Sequence, residues 1–190
     1  MRRRLALGLP ALWLAPPGHA ATPGELLAAG RHVLLMRHAD APGVGDPPGF
    51  RRGDCATQRN LGAAGREQAR AAGRWLRSQG VSRAQVYSSP WCRCLETAQL
   101  LGFGAVTVEE SLGSFFGRYG QEDASTQALQ AFVARLLSGP SDRAPILVTH
   151  QVNISAYAGG GVASSEMVLV RVDRQGRPQD TVRYAPPPLS

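Results

Sequence analysis

The sequence contains no lysine, and all 21 of its basic residues are arginine. Setting aside residues 1–20, with three arginines and no acid, leaves 18 basic and 14 acidic residues, a net charge of +4. The arginines are dispersed and aromatic residues make up only 6% of the chain, so the pattern of a nucleic-acid-binding surface is missing. Guanidinium groups also bind phosphate and carboxylate oxygens, and composition alone does not decide between these roles.

The sequence also lacks an apolar run of the roughly 20 residues that span a bilayer. The stretch from Leu5 to Ala15 is too short, and it follows three arginines and precedes the small residues Gly18 and Ala20. This pattern predicts a secretory signal peptide over residues 1–20, cleaved near Ala20, with an uncleaved anchor as the alternative. We therefore expect an exported protein, periplasmic or secreted, without a membrane span in the mature chain.

Cysteine is scarce, with three residues at Cys55, Cys92 and Cys94. In an exported chain this number favours one disulfide and leaves one thiol, the alternative being three free thiols. Cys92 and Cys94 diverge on a helix, so the predicted bridge joins Cys55 to one of them. Cys55 is followed by Arg59 after only three residues, which excludes a cysteine phosphatase motif. No His, Cys or carboxylate cluster has zinc-ligand spacing, so we expect a site without metal or cofactor.

Short β-rich runs alternate with helical patterns, which predicts an α/β fold with a largely parallel sheet. Residues 21–190 form a single predicted domain, with a frayed tail from about residue 185. Strands are predicted at 32–36, 84–88, 105–109, 145–150 and 166–172. Helices are predicted from about Gly62 to Gln79, from Ser89 and Pro90 to Leu101, and from Ser125 to Leu137. Ser89 is the candidate N-cap of the second helix.

Chemically active side chains follow three of these strands. The first strand ends in Arg37 and His38, the fourth in His150, and the second leads into the segment that carries Arg93. In open α/β sheets, ligands bind beyond the carboxyl ends of the strands. The Gly-, Pro- and Arg-rich segment 39–60 is too long for a bare connection and is a candidate functional loop.

Four segments, "LLMRHA", "LGAAGREQARAAGRWL", "YSSPWCRCLETA" and "ILVTHQVNI", occur in the order typical of one family. With them the chain resembles the histidine phosphatase superfamily, which has the phosphoglycerate mutase-like fold. The resemblance covers about residues 32–155 and implies a three-layer α/β sandwich with a mostly parallel central sheet. It also implies a nucleophile at His38, phosphate-binding Arg37 and Arg93, and a second pocket histidine at His150.

The function implied by this resemblance is hydrolysis of a phosphomonoester through a phosphohistidine on His38. The alternatives are a phosphate-ligand binding protein of the same fold and a phosphomutase. The expected partner is a small phosphorylated substrate, with a cell-envelope saccharide as the guess, and no nucleic acid is expected. The sequence does not indicate an oligomeric state.

The chain departs from the family pattern at the proton donor, because Ser114 stands where many members have a glutamate. Glu110 is the predicted replacement, with Glu109, Asp46 and Asp54 as alternatives. Gln151 follows His150 in place of the common glycine. Arg59 and Asn153 complete the predicted substrate-binding residues.

Overall fold

The computed structural model describes residues 21–118 and 120–188, so the predicted signal peptide lies outside the described residues. The strands are β1 His32–Arg37, β2 Ala84–Ser88, β3 Val106–Val108, β4 Ala144–Thr149, β5 Met167–Val172 and β6 Pro178–Tyr184. The α-helices are α1 Pro23–Ala28, α2 Ala63–Ser78, α3 Cys92–Leu100, α4 Glu122–Leu136 and α5 Gln151–Ala158. Two 3-10 turns span Cys55–Thr57 and Glu110–Leu112.

The six strands form one mixed sheet in the order β3-β2-β4-β1-β5-β6. The first four strands in that order are parallel, and β5 is antiparallel to both β1 and β6. All six residues of β4 are buried, as are the four central residues of β1. Continuous apolar runs are typical of parallel strands that are covered on both faces, which explains the sequence "VLLM" in β1.

Two apolar clusters cover the two faces of the sheet. Leu34 and Met36 of β1 pack in one cluster with residues of α1, α2 and α3. Val33 and Leu35 point to the other face, where they pack with residues of α4 and α5. The alternation follows from the two-residue period of a strand. The predicted three-layer α/β sandwich with a mostly parallel centre is therefore confirmed.

Helix α2 packs unusually close to the segment that follows β1. A Cβ atom on Gly65 would lie 2.0 Å from the carbonyl oxygen of Asp40, so only glycine permits this approach. One turn further on, Oε1 of Gln68 accepts a hydrogen bond from the Asp40 backbone N–H at 2.9 Å. These contacts hold the chain just beyond His38.

Several elements differ from the sequence prediction. Helices α1 and α5 and strand β6 were not predicted, and α3 begins at Cys92 rather than at Pro90. The N-cap of α3 is Trp91 and has no side-chain capping bond. The Ser89 hydroxyl accepts the Trp91 backbone N–H at 3.4 Å and also lies 2.8 Å from Nε2 of His150, so it belongs to the strand-end cluster as well. Residues 185–188 have no regular secondary structure, and no helix within the described ranges is long and apolar enough to cross a membrane.

A disulfide joins Cys55 to Cys92, as one form of the prediction required, and Cys94 is a buried free cysteine. The bridge ties loop 39–60 to the start of α3, across a sequence separation of 37 residues. Gln58 supports the same junction, because its Oε1 accepts the Cys92 backbone N–H at 3.0 Å. The loop is thus fixed at two adjacent points beside Arg93.

The Cys55–Cys92 bridge should stabilise the protein by about 4 kcal/mol, because it lowers the entropy of the unfolded chain. Reduction, or the double variant Cys55→Ser/Cys92→Ser, should lower the free energy of unfolding by a comparable amount in urea titrations. Cys94→Ser should respond to reductant as the wild type does. A stability that does not change on reduction, or a non-reducing peptide map without the Cys55–Cys92 peptide, would contradict the assignment.

Candidate active site

The pairing of β1 with β4 brings the two predicted histidines together. Arg37 lies in register with Thr149, and the backbone N–H of His38 donates to the Thr149 carbonyl at 2.9 Å. His38 and His150, one residue beyond each strand, have ring centroids 5.4 Å apart, and both side chains are buried. Strand β2 lies on the other side of β4, and the chain beyond it brings Ser89 and then Arg93 to the same edge.

Three guanidinium groups line the cavity beside these rings, from Arg37, Arg59 and Arg93. Arg37 donates through Nη1 to the Val162 carbonyl at 2.7 Å, and Arg59 donates through Nε to the Gly45 carbonyl at 2.7 Å. The Nε atoms of Arg37 and Arg93 are buried and have no hydrogen-bond acceptor within the described chain. Buried donors of this kind favour an anionic ligand that supplies the acceptors.

Asp46 holds Arg93 in place. Its Oδ1 accepts from Nη1 of Arg93 at 2.7 Å and from the Arg59 backbone N–H at 3.1 Å, and its Oδ2 accepts from Nε1 of Trp91 at 3.0 Å. Burial raises the pKa of Asp46, but these hydrogen bonds and the charge of Arg93 lower it further, and the net shift is downward. Asp46 is therefore an ionised partner of the arginine, unsuited to giving up a proton near pH 7.

His38 has the properties of a neutral nucleophile. Its Nδ1 lies 2.8 Å from the Ala39 carbonyl oxygen, which can only accept, so Nδ1 carries the proton and Nε2 carries the lone pair. Burial lowers the pKa of His38 to about 3; the Ala39 hydrogen bond opposes this shift, while the charges of Arg93, Arg37 and Arg59 reinforce it. The ring is thus unprotonated at physiological pH.

His150 is positioned by two side chains from the β2–α3 segment. Its Nε2 lies 2.8 Å from Oγ of Ser89 and 3.5 Å from Sγ of Cys94. Burial lowers the pKa of His150 well below its usual value, and the neighbouring His38 and arginines add to the effect. Burial raises the pKa of the Cys94 thiol to about 12, so Cys94 packs against the ring as a neutral thiol.

The strand-end residues open into a cavity of about 660 Å³. We call the two histidines with Arg37, Arg59 and Arg93 the inner wall of the cavity, and the rest of its lining the outer wall, which comes mostly from loop 39–60 and segment 113–118. The described outer-wall residues are Gly43, Val44, Gly45, Asp46, Phe50, Arg52, Trp91, Ser114, Phe116, Arg118, Gln151 and Val152. The positive charge of the inner wall suits a phosphoryl group.

The family model of the histidine phosphatase superfamily (branch 1) matches residues 33–145. The chain belongs to this superfamily. The match includes His38 and Arg93 and ends before His150, which the fold brings to the same edge. No curated protein sequence matches the chain significantly.

Solved structures of phosphatases share the fold at low sequence identity. The protein histidine phosphatase SixA, complexed with tungstate, has a TM-score of 0.57 and 19% identity, over 82% of this chain and 97% of its own. A mycobacterial glucosyl-3-phosphoglycerate phosphatase in complex with VO3 has a TM-score of 0.54 and 17% identity, over 74% and 92%. A phosphoserine phosphatase of Entamoeba histolytica, in complex with 3-phosphoglyceric acid, has values of 0.54 and 17%, over 78% and 93%.

Five of the predicted site residues lie together in the superfamily's fold, and two lie elsewhere. His38, Arg37, Arg93, His150 and Arg59 line the cavity. Glu110 does not: its carboxylate is exposed and pairs with Arg52 at 2.7 Å, because the 3-10 turn Glu110–Leu112 directs it to solvent. Asn153 is buried on the other side of α5, where its Nδ2 donates to the Gly113 carbonyl at 2.9 Å. Residues 151 and 152, at the start of α5, face the cavity instead.

Of the alternative acids, Glu109 and Asp54 also lie outside the cavity. Glu109 accepts the Ser111 backbone N–H at 2.9 Å, and Asp54 pairs with Arg51 at 2.6 Å, so both serve local turns outside the cavity. Ser114 does line the cavity, at the position where the superfamily resemblance places a glutamate. Within the described residues, Asp46 is the only carboxylate of the cavity wall. The sequence does not predict the contact of Ser89 with His150 or that of Gln58 with Cys92, because each joins residues that are far apart in the chain.

The lowered histidine pKa values predict that the free protein loses stability in mild acid. Below about pH 6.5 the unfolded chain takes up protons that folded His38 and His150 do not, so the free energy of unfolding falls as pH decreases. The slope is at most about 1.4 kcal/mol per pH unit for each histidine, and for His38 it persists to about pH 3.

Urea unfolding near pH 7 and near pH 5 measures this effect. His38→Gln should lose less stability between the two values than the wild type does, by up to about 2 kcal/mol. His32→Gln is the control: burial lowers the pKa of His32 too, but this side chain is only partly buried and lies outside the cavity, so its loss should change the difference less. An unchanged pH dependence in His38→Gln would show that His38 titrates normally.

Proposed function

We propose that the protein is a phosphatase that hydrolyses a phosphomonoester through a covalent phosphohistidine on His38. The observation that carries this proposal is the His38 ring, held neutral with its Nε2 lone pair free among three arginines. Membership of the superfamily supports the reaction class.

In the first step, Nε2 of His38 attacks phosphorus in line. A P–N bond forms while the bond from phosphorus to the leaving-group oxygen breaks, and that oxygen departs with the electron pair. Arg37, Arg59 and Arg93 lie where they neutralise charge on the equatorial phosphoryl oxygens. Their geometry is fixed before substrate arrives, because Asp46 and backbone carbonyls hold the guanidinium groups.

In the second step, water attacks the same phosphorus from the side opposite the P–N bond. The P–N bond breaks, inorganic phosphate leaves, and the proton lost by the water goes to solvent or to phosphate. His38 returns to its neutral form with Nδ1 still bonded to the Ala39 carbonyl. Two displacements through an imidazole replace one direct attack of water on a phosphate dianion.

The structural relatives support an oxyanion site and leave the substrate open. Two of them are complexes with tungstate or with VO3, whereas their names refer to a protein histidine and to a glucosyl-3-phosphoglycerate. The substrate proposed here is a small phosphorylated compound. We further propose that the protein works outside the cytoplasm, since the Cys55–Cys92 disulfide suits an oxidising compartment.

A phosphate-binding protein without turnover is the second candidate. It is favoured by one observation: no carboxylic acid of the described cavity wall is free to protonate a leaving group, since Asp46 is ionised and bonded to Arg93. Such a protein would use the same arginines and would bind phosphate without releasing an alcohol. The nucleophile separates the two functions.

His38→Ala should lower kcat for p-nitrophenyl phosphate by about a thousandfold or more, because the covalent route is lost. Acid-labile phosphate should be recovered on His38 in the wild type after rapid alkaline quenching. His32→Ala is the matched control and should keep full activity, and EDTA should have no effect. Turnover that survives in His38→Ala would refute the nucleophile; phosphate binding without turnover in the wild type would identify the second candidate.

Ser114→Glu should supply the missing proton donor. The variant should raise kcat/KM for an alkyl phosphate such as 2-glycerophosphate by about tenfold or more, with a smaller gain for p-nitrophenyl phosphate. Ser114→Gln has the same size without an acidic proton and should show no gain. Equal effects of the two variants would exclude general-acid action from position 114.

A further inference from the structure

We infer that the outer cavity selects phosphomonoesters of flat, apolar hydroxyl compounds, so that the leaving group is an aryl oxygen. This inference rests on the proposed phosphatase function and concerns the part of the substrate that is not phosphate. It assigns the selection to Phe116, Phe50 and Val44, which are not part of the phosphate-binding set.

Exposed apolar side chains concentrate at the mouth of this cavity. Within the described ranges five large apolar side chains are exposed, and three of these, Val44, Phe50 and Phe116, line the cavity. Phe116 is 60% exposed and Val44 is 89% exposed, a cost in hydration that burial against a ligand would remove. Two separate loops contribute these residues.

Phe116 lies close to loop 39–60 at the cavity mouth. A Cβ atom on Gly45 would lie 3.9 Å from Cε1 of Phe116, so segment 113–118 closely approaches loop 39–60. Phe50 packs beside Trp91, with ring centroids 6.1 Å apart and an interplanar angle of 36°. Trp91 in turn meets the His150 ring edge to face at 5.2 Å. The Trp91 ring is buried and the Arg52 guanidinium lies 5.9 Å from its centroid, so Trp91 supports Phe50 from beneath the cavity wall.

The two arginines of the outer wall each have a protein partner. Arg52 donates to the Glu110 carboxylate and Arg118 to the Ser114 carbonyl, while Arg59 of the inner wall donates to the Gly45 and Ala41 carbonyls. A saccharide needs several uncommitted donors and acceptors to replace its hydration, whereas a flat apolar group needs only surface. The outer wall thus fits an aromatic group better than the expected cell-envelope saccharide.

The lack of a free carboxylic acid in the described cavity wall independently favours the same leaving group. Asp46, the one carboxylate of the described wall, is held as an anion by Arg93. An aryl oxygen leaves as a phenolate with a pKa near 10, as in tyrosine, and an alkoxide is far more basic. A site without a proton donor is therefore suited to aryl phosphates on chemical grounds, apart from any contact.

Phenyl phosphate and 2-naphthyl phosphate test the inference, because their leaving groups have similar acidity and differ in apolar area. The wild type should prefer the naphthyl ester by about tenfold in kcat/KM, and glucose 6-phosphate should be the poorest of the three. Phe116→Ala should abolish the naphthyl preference, because kcat/KM should fall by about tenfold for 2-naphthyl phosphate and by less for the smaller phenyl phosphate. Val44→Ser should reduce it, and Val182→Ser, at an exposed valine on β6, should not.

The outcomes separate this inference from the proposed function. If none of the three esters is hydrolysed, the phosphatase proposal fails. If His38-dependent hydrolysis occurs but glucose 6-phosphate is preferred, or if the naphthyl preference is absent or unaffected by Phe116→Ala, the phosphatase stands and the aryl inference is overturned.

Discussion

The pairing of β1 with β4 is the interaction on which the site depends. The bond from the His38 N–H to the Thr149 carbonyl extends the parallel ladder one residue past β1, and it fixes the distance between the two histidine rings. Both faces of β1 are covered by apolar clusters, so a register shift of one residue would exchange the side chains that pack against the two helix layers and would move His38 relative to His150. The packing of both faces therefore also protects the geometry of the histidine pair.

Charge at this edge is balanced by only one described carboxylate of the cavity wall. Arg37, Arg59 and Arg93 converge there, and Asp46 neutralises part of their charge. The remaining positive potential favours an anionic ligand, and it reinforces the effect of burial that keeps His38 deprotonated. One arrangement thus shapes both the anion site and the protonation state of His38.

The parts predicted from the sequence are those encoded by local pattern. Strands β1 and β4 are continuous apolar runs, and α2 has a helical period ended by residues near Gly80, so each could be placed from sequence alone. Strand β6 is an edge strand with mostly exposed residues and carries little apolar signal. Helix α5 begins directly after β4 and has no side-chain cap, so no local sequence signal predicts its start.

The residues of the site also differ in how far local sequence pattern predicts them. His38 and His150 could be predicted because strand ends are visible in the sequence, whereas Asp46 was only one of four acids considered. Its contact with Arg93 spans 47 residues and depends on how loop 39–60 folds. Likewise Ser89 resembled a helix cap, and only the approach of β4 shows that its hydroxyl meets His150. Pairings across the fold have no local signature.

The strand ends carry the two histidines and Arg37, whereas the loops carry the exposed apolar residues of the outer wall. The histidines and Arg37 lie at the ends of β1 and β4, two central strands that are buried on both faces. Phe50 and Phe116 of the outer wall lie on loop 39–60 and on segment 113–118. The loop is anchored by the Cys55–Cys92 bridge and by a small apolar cluster of Ala39, Ala41, Leu61 and Ala69. Because long loops lose much entropy on ordering, the covalent anchor helps to hold Phe50 and Asp46 on a segment with few buried apolar residues.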